Sequence, residues 1–250
     1  MLTMFKLEIL KLKRRKFIVP IILITIVGLF WFYVVSVKEV NAHKTVTSIL
    51  LPIFDLNLVN CMIYPILIAL LCSQLIDIEH RGNTLGLLKT SNQSILKLFI
   101  VKTSLAFLII FILSIIQVLF LFFVSNINEL SINYKGLVGF FIGFNLSSVI
   151  LIILHTSLSL FIEKQAISIV SGLIGSFIGL FTGGMLPIFI KVILPWQYYA
   201  LLNPVKRKAV DHNYIFIENP NFIYYLIFSC IILVLEIFLL RNLLKGKELK

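Results

Sequence analysis

The chain has 250 residues, of which 60% are apolar and 13% are charged, and its formal net charge at pH 7 is +11. Soluble domains carry about 25% charged residues. This composition therefore excludes a disordered chain and argues against a soluble globular enzyme, because too few polar side chains are present to cover a surface that faces water. A mean hydropathy of +1.06 indicates that the bilayer is the solvent. We expect an all-α integral membrane protein.

The first sixteen residues have the pattern of an amphipathic helix that lies on the membrane surface. An apolar stripe at helical spacing is formed by Leu2, Phe5, Ile9 and Leu12, and most of the basic side chains lie away from it. A plain basic topology anchor is a compatible interpretation. The apolar run that follows is longer than the core of a signal peptide, so we expect it to be retained as a span.

Six uncharged runs are each long enough to cross the hydrocarbon core, which takes about 20 residues in a helix. They predict one transmembrane domain over residues 1–250, with spans at roughly 17–37, 56–76, 103–125, 137–162, 166–190 and 221–241. Six spans place both termini on one side. Fifteen of the 22 basic residues fall on that side, which favours cytoplasmic termini and explains most of the charge without a nucleic-acid partner. The triplet Lys206–Lys208 is an exception on the outer side.

The fifth predicted span carries small residues at four-residue spacing. In lipid, such ladders allow two helix backbones to approach closely. Whether the partner helix belongs to this chain or to a second subunit is open at this stage. The glycines of the ladders are Gly172, Gly175, Gly179 and Gly183.

Three isolated polar residues lie inside predicted spans. Glu236 is a candidate substrate or proton contact, although an acid this close to the membrane boundary can also extend to the interface or pair with Arg241. His155 and Gln117 are more typical of hydrogen bonds between packed helices. The three cysteines lack disulfide or metal-ligand spacing.

A short apolar stretch over residues 192–205 follows the fifth predicted span and is too short to cross a membrane. Prolines with aromatic residues suit the membrane interface. We expect a re-entrant or interfacial element here, with Pro195, Trp196 and Tyr198 as its characteristic residues.

No catalytic motif occurs in the sequence. Neither the phosphate-binding pattern G-x-x-x-x-G-K-[ST] nor the zinc pattern H-E-x-x-H is present. We expect a non-enzymatic chain that binds no cofactor or metal, with any ATP hydrolysis located on another chain.

The inner loop between the second and third predicted spans, Asp77–Lys102, carries the most specific pattern. Turn residues bracket a short leucine-rich piece, and Ile95, Leu98 and Phe99 indicate a second short helix. A short amphipathic helix on the inner face, attached to two spans, is suited to transmitting force from a soluble partner. An ordinary loop helix is the simpler alternative.

This loop resembles that of permeases of the second class of ATP-binding-cassette (ABC) exporters. The matching residues are Glu79, Asn83, Thr84, Leu87, Leu88, Lys97 and Lys102, and Asn92 departs from the pattern at a position where proline is common. The sequence from Glu79 to Thr84 is most similar to that of permeases of lantibiotic-protection (immunity) transporters. The basic segment near the N-terminus and Leu194–Tyr198 fit the same group.

The resemblance implies a permease in the bacterial plasma membrane that pairs with an identical or homologous permease and with two ABC ATPase subunits. ATP and Mg²⁺ would be bound by those ATPases, and the substrate would be an amphipathic cationic peptide taken from the membrane. The ATPase-coupling loop would contain Glu79, Asn83, Thr84, Leu85, Leu87 and Leu88.

Three other interpretations remain open. A secondary transporter or channel would need recurrent ionisable residues in the spans, and only Glu236 and His155 are candidates. An intramembrane enzyme would need paired acids or histidine ligands. A non-pumping immunity protein that sequesters the peptide is the remaining alternative.

Overall fold

A computed structural model describes residues 2–13, 18–42, 47–82, 84, 94–182, 187–210 and 213–248. These segments form a helical bundle with one β-hairpin. The helices are α1 Leu2–Lys13, α2 Ile18–Ala42, α3 Leu50–Arg81, α4 Ile95–Ile127, α5 Tyr134–Phe161, α6 Ala166–Thr182, α7 Ile188–Ile193, α8 Tyr198–Leu201 and α9 Phe222–Glu248. A 3₁₀ turn, Pro195–Gln197, precedes α8, and the hairpin consists of β1 Val205–Val210 and β2 Asn213–Glu218.

The long helices continue past the predicted spans because a helix need not end where the hydrocarbon ends. At 1.5 Å per residue, the 32 residues of α3 span about 48 Å, against about 30 Å of hydrocarbon. The polar ends of α3 and α4 therefore project beyond the apolar layer. Ile95 and Phe99, assigned from the sequence to a separate short helix, form the first turns of α4 and pack in the core beside Ile76.

The core of the bundle lies around α3 and α5. Along an apolar stretch of 18 residues in each of these two helices, 61% of the residues are buried. The corresponding share is 22% in α2 and 11% in α9. Apolar side chains cover the exposed faces of α2 and α9, including Phe30, Trp31, Phe238 and Leu239. Because such faces are stable only in lipid or against protein, α2 and α9 are peripheral helices of a membrane bundle.

Five helices in the described part of the chain are long and apolar enough to cross a membrane: α2, α3, α4, α5 and α9. The multi-pass helical prediction is thereby confirmed, but the count of six spans is not. The predicted fifth span, 166–190, is not one continuous helix, because Pro187 has extended dihedral angles between α6 and α7. Proline lacks the N–H of a helical ladder and disfavours helix in the residue before it.

The β-hairpin was not predicted, since the expectation was all-helical. Val205 pairs with Glu218 and Val210 with Asn213 in an antiparallel ladder. Side-chain amides hold the base of this hairpin: Asn57 Nδ2 of α3 donates to Asn203 Oδ1 at 3.3 Å, and Asn219 Nδ2 closes the hairpin by donating to the Asn203 carbonyl at 3.0 Å. The end of the bundle that carries the hairpin is called the hairpin end, and the opposite end, where α1 lies, the α1 end.

The stretch predicted to be a re-entrant or interfacial element packs into the bundle through its tyrosines. Tyr198 and Tyr199 are fully buried, and the hydroxyl groups of Tyr199 and Ser148 lie 2.8 Å apart. The Tyr198 hydroxyl donates to the carbonyl of Val192 at 2.8 Å. Each phenol thus has a hydrogen-bond partner inside the protein, as a buried tyrosine requires.

Candidate functional site

The helix α1 presents both a polar and an apolar residue to the bundle. Phe5 packs against the core, and Glu8, one turn later, is 4% exposed. Ile9, which belongs to the predicted stripe, is 47% exposed. A buried acid on a surface helix is costly unless it is paired, so the partners of Glu8 define the site.

Lys102 is the central residue of this site. Its side chain is fully buried in the second turn of α4. The ammonium group donates to Glu79 Oε1 at 2.7 Å and to the Leu75 carbonyl at 2.9 Å, and it also donates to Glu8 Oε2. An ammonium has three N–H donors. All three are used, so protein oxygens satisfy the whole group.

Lys11 completes a closed ring of charges. Its ammonium lies 2.7 Å from Glu8 Oε1 and 3.0 Å from Glu79 Oε1. Burial lowers the pKa of Lys11, but hydrogen bonds to Glu8 and Glu79 outweigh this effect and raise it above its usual value. Lys11 is therefore fully charged at neutral pH. Glu8, Lys11, Glu79 and Lys102 together are called the charge cluster.

The charge cluster is electrically neutral, with two carboxylates and two ammonium groups. Neutrality matters because burying an unbalanced charge costs several kcal/mol, whereas a well-bonded ring offsets its own desolvation. The four residues come from α1, the last turns of α3 and the start of α4. The cluster thus joins α1 to α3 and α4, the helices that precede and follow the loop after Arg81.

Thr84 connects the charge cluster to that loop. Its hydroxyl donates to Glu79 Oε2 and lies 3.3 Å from the backbone carbonyl of the same residue. One carboxylate oxygen of Glu79 therefore serves the cluster and the other serves the start of the loop. Of the predicted coupling residues, Glu79 and Thr84 lie together here, while Asn83, Leu85, Leu87 and Leu88 lie outside the described residues.

An exposed ion pair on the same helix provides a contrast. Arg81 Nε lies 2.7 Å from Asp77 Oδ2 at i, i+4 spacing, and the Arg81 side chain is 73% exposed. Exposed pairs of this kind contribute about 0–1 kcal/mol. Two kinds of ion pair thus occur near the end of α3. Those of the charge cluster are largely buried and join three helices, whereas the pair of Arg81 and Asp77 is local and exposed to solvent.

Glu8 and Lys11 were not predicted as site residues. A signal was present, since Glu8 is the lone acid in an otherwise basic opening segment and lies one helical turn after Phe5. That spacing places it on the face that Phe5 buries. Lys102 was noted for the resemblance, but no role was assigned to it.

The glycines of α6 lie against other parts of the same chain. A Cβ atom at Gly172 would lie 2.4 Å from Ala69 Cβ, and one at Gly175 would lie 2.1 Å from Trp196 Cδ1. Gly179 faces the Trp196 carbonyl, where a Cβ would lie at 2.9 Å. These three residues therefore permit close packing within one chain. Gly183 lies outside the described residues.

The polar candidates Gln117, Glu236 and His155 occupy three different environments. Gln117 and Asn60 exchange two amide hydrogen bonds, of 2.8 and 3.1 Å, and Gln117 Nε2 lies 3.1 Å from Tyr64 Oη. Both are saturated packing contacts between α3 and α4. Glu236 is half-buried on α9, its Oε2 has no hydrogen-bond partner, and no ion pair with Arg241 forms.

His155 is buried between α6 and the 3₁₀ turn. Trp196 Nε1 donates to His155 Nε2 at 3.4 Å, and His155 Nδ1 lies 3.3 Å from Ser168 Oγ. Because an indole N–H only donates, Nε2 is the acceptor and the ring proton resides on Nδ1. Trp196 is thereby placed in the bundle by a specific polar contact. Pro195 begins the same turn.

Groups of His, Cys, Asp and Glu suited to a metal ion do not occur among the described residues. No curated protein and no solved structure matches the chain. Residues 4–179 match the family described as ABC-2 family transporter protein, and this stretch includes the whole charge cluster. With most of the chain matched, the protein belongs to the ABC-2 family transporter proteins, membrane permease subunits that work with a separate ABC ATPase subunit.

Proposed function

We propose that this permease subunit expels amphipathic cationic peptides from the bacterial plasma membrane, in self-protection or resistance against lantibiotic-like antimicrobials. Two permease chains and two ATPase subunits form the transporter, with both termini of this chain in the cytoplasm. Packing of the end of α9 beside Ile76 and Ile95, close to the α1 end, supports the placement of both termini on one side. ATP and Mg²⁺ bind the ATPases, and this chain supplies the membrane pathway.

The observation that carries the transport part of this proposal is the charge cluster. It joins α1 to the two helix ends from which the loop of residues 82–94 emerges. A push on that loop by an ATPase would move α3, α4 and α1 together, because the ring, in which only Lys11 is partly exposed, resists separation of its members. The loop alone, hanging from two independent helices, would transmit such a push poorly.

The peptide part of the proposal rests on the resemblance of Glu79–Thr84 to the loops of lantibiotic-protection permeases. The exposed apolar faces of α2 and α9 are compatible with a substrate that enters from lipid, since an amphipathic peptide partitions to the interface before extraction. These faces would also accommodate the second permease.

Copurification and peptide resistance test the proposal. The chain is tagged in its native cell, the ABC ATPase that copurifies is identified, and both are expressed in a sensitive bacterium. We expect resistance to cationic lantibiotics to rise at least several-fold and to disappear when the ATPase is catalytically inactive. Glu79→Gln should remove resistance at equal membrane abundance, whereas Arg81→Gln should retain it.

The alternatives give different outcomes. Resistance that persists with the inactive ATPase would indicate a sequestering immunity protein. Substrate movement in ATP-free vesicles under an ion gradient would indicate a secondary transporter or a channel. Failure to recover any ATPase with the tagged chain would contradict the proposal as a whole.

A further inference from the structure

A cavity of about 580 Å³ lies at the hairpin end, between α3, α6, α7 and β1. Three cationic residues line it: Lys191 on α7 and Lys206 and Arg207 on β1. Lys206 and Arg207 belong to the basic triplet Lys206–Lys208, whose predicted position on the outer side has no explanation in the sequence. The described residues that line the cavity include no Asp or Glu.

One of the three cations, Arg207, is positioned by aromatic rings. Arg207 lies over the ring of Tyr214, 4.5 Å from its centroid, and 5.8 Å from that of Phe54. Burial and the neighbouring ammonium of Lys206 lower the pKa of Lys191. An anion placed between these groups would offset both the repulsion and the loss of hydration.

The cavity continues into an apolar groove of about 300 Å³ between α2, α3 and α6. Leu58 and Leu180 line both spaces and therefore form the boundary between them. Apart from Asp55, the described residues that line the groove are apolar, among them Val27 and Trp31. Asp55 lies near Arg207 and offsets part of that one charge.

Carboxamides give the charged cavity a polar wall. Asn57, Asn203 and Asn219 line it and are hydrogen-bonded to one another or to backbone. The bond from Asn57 to Asn203 joins the base of the hairpin to α3, which lines both the cavity and the groove. A polar, cationic compartment thus adjoins an apolar one, and both sizes fall within the range of small-molecule sites.

We propose that these two compartments form one site for a lipid with an anionic phosphate headgroup, from the leaflet at the hairpin end. The phosphate lies between Lys191, Lys206 and Arg207, where ammonium and guanidinium groups donate charge-assisted hydrogen bonds. An acyl chain passes Leu58 and Leu180 into the groove. This inference does not depend on the identity of the transported peptide.

Native mass spectrometry of the full-length protein in detergent tests this site. Titration with phosphatidylglycerol should show one bound lipid. Its affinity should be about tenfold higher than that of phosphatidylcholine with the same acyl chains. The double variant Lys191→Gln/Lys206→Gln should remove about tenfold in affinity for phosphatidylglycerol, as expected for lost hydrogen bonds to a charged group. Leu180→Trp, which fills the groove, should weaken both lipids.

Lys208→Gln is the matched control, because Lys208 lies on the same strand but not among the described residues that line the cavity. It should leave the affinity unchanged. An equal loss in Lys208→Gln would overturn the site and indicate general attraction to the basic strand. If the double variant is poorly folded by size-exclusion chromatography, the single exposed changes Lys206→Gln and Arg207→Gln replace it, each with about a threefold loss expected.

Inorganic phosphate distinguishes a lipid site from a free-anion site. Millimolar phosphate should not displace phosphatidylglycerol, because it lacks the acyl chain that the groove binds. Complete displacement would overturn the lipid assignment. Equal affinities for phosphatidylglycerol and phosphatidylcholine would overturn the role of the cations.

Discussion

The ammonium of Lys102 donates to the carboxylate of Glu79 at 2.7 Å, although 23 positions separate the two residues and the loop of residues 82–94 lies between them. Both side chains are buried, and Glu8 and Lys11 from α1 close the ring. The charge cluster therefore joins the two helix ends on either side of the inner loop. This relationship generates the first two predictions.

Glu79→Ala should uncouple ATP hydrolysis from peptide resistance while leaving membrane insertion intact. The change leaves two ammonium groups with one carboxylate and removes the acceptor of the Thr84 hydroxyl. Loss of one partner from a buried pair costs about 3–5 kcal/mol, so the melting temperature should also fall. ATPase activity of the purified complex and resistance of the cells are compared at equal expression, with Arg81→Ala as the control for a solvated pair. Normal resistance in Glu79→Ala would reject the coupling role.

Lys102→Met and Glu79→Gln should not be additive in stability. Each single change leaves the charge cluster with a net charge, whereas the double variant retains the neutral pair of Glu8 and Lys11. We expect the double variant to be more stable than the sum of the single changes predicts, by about 1–3 kcal/mol. Thermal unfolding in detergent measures the cycle. Strict additivity would mean that the four charges do not act as one unit.

Gly175→Ala should destabilise the bundle by about 1–3 kcal/mol, because the new methyl group would lie 2.1 Å from Trp196 Cδ1. Gly28→Ala is the matched control, since its methyl group would meet only the mobile end of Ile63 at 3.1 Å. The melting temperatures of both variants should differ accordingly. Combining Gly175→Ala with Trp196→Ala should cost less than the sum of the two changes. A Gly175→Ala protein as stable as the wild type would show that the turn can shift aside.

Glu218 should make the hairpin end sensitive to acid. Hydrogen bonds from Lys135 and Asn133 hold the pKa of Glu218 below its usual value, with the oxygens at 2.5 and 3.1 Å from their donors. A depressed pKa stabilises the fold above the unfolded-state value of 4.5, and the stabilisation is lost as the pH falls through the folded-state value. Because the pair is exposed, the effect should be below about 1 kcal/mol.

Thermal unfolding of the wild type and of Glu218→Gln between pH 6 and pH 3 checks this, with the pH range chosen to bracket the usual carboxyl pKa. The difference between the two proteins should be largest at the higher pH and should shrink on acidification. A difference that grows as the pH falls would contradict the assigned direction.

Much of the bundle follows from its apolar pattern. Runs bounded by charges located α2, α3, α4, α5 and α9, because burial in lipid requires length and apolarity before any tertiary contact. The ends of these helices could not be located in this way, since Glu79 and Lys102 are charged residues inside helices that project beyond the hydrocarbon. The hairpin was missed because Lys206–Lys208 contributes charge without the alternation of a half-buried strand.

The charge cluster was only half visible in the sequence. A short motif pointed to Glu79 and Thr84, since both belong to one local turn. Their partnership with Glu8 depends on how α1 returns to the bundle, which is a tertiary property and leaves no local pattern. Likewise, the glycines of α6 indicated a close contact, but only the fold shows that Pro65, Ala69 and Trp196 provide it.

The complete enclosure of Lys102 makes it a chemical reporter of whether α1 is docked. An amine-reactive label cannot reach an ammonium that is 0% exposed and has all three protons engaged, whereas Lys97, on the same helix, is exposed and serves as an internal standard. Labelling of Lys102 relative to Lys97, measured by mass spectrometry during turnover, would therefore reveal when the amphipathic helix leaves the bundle.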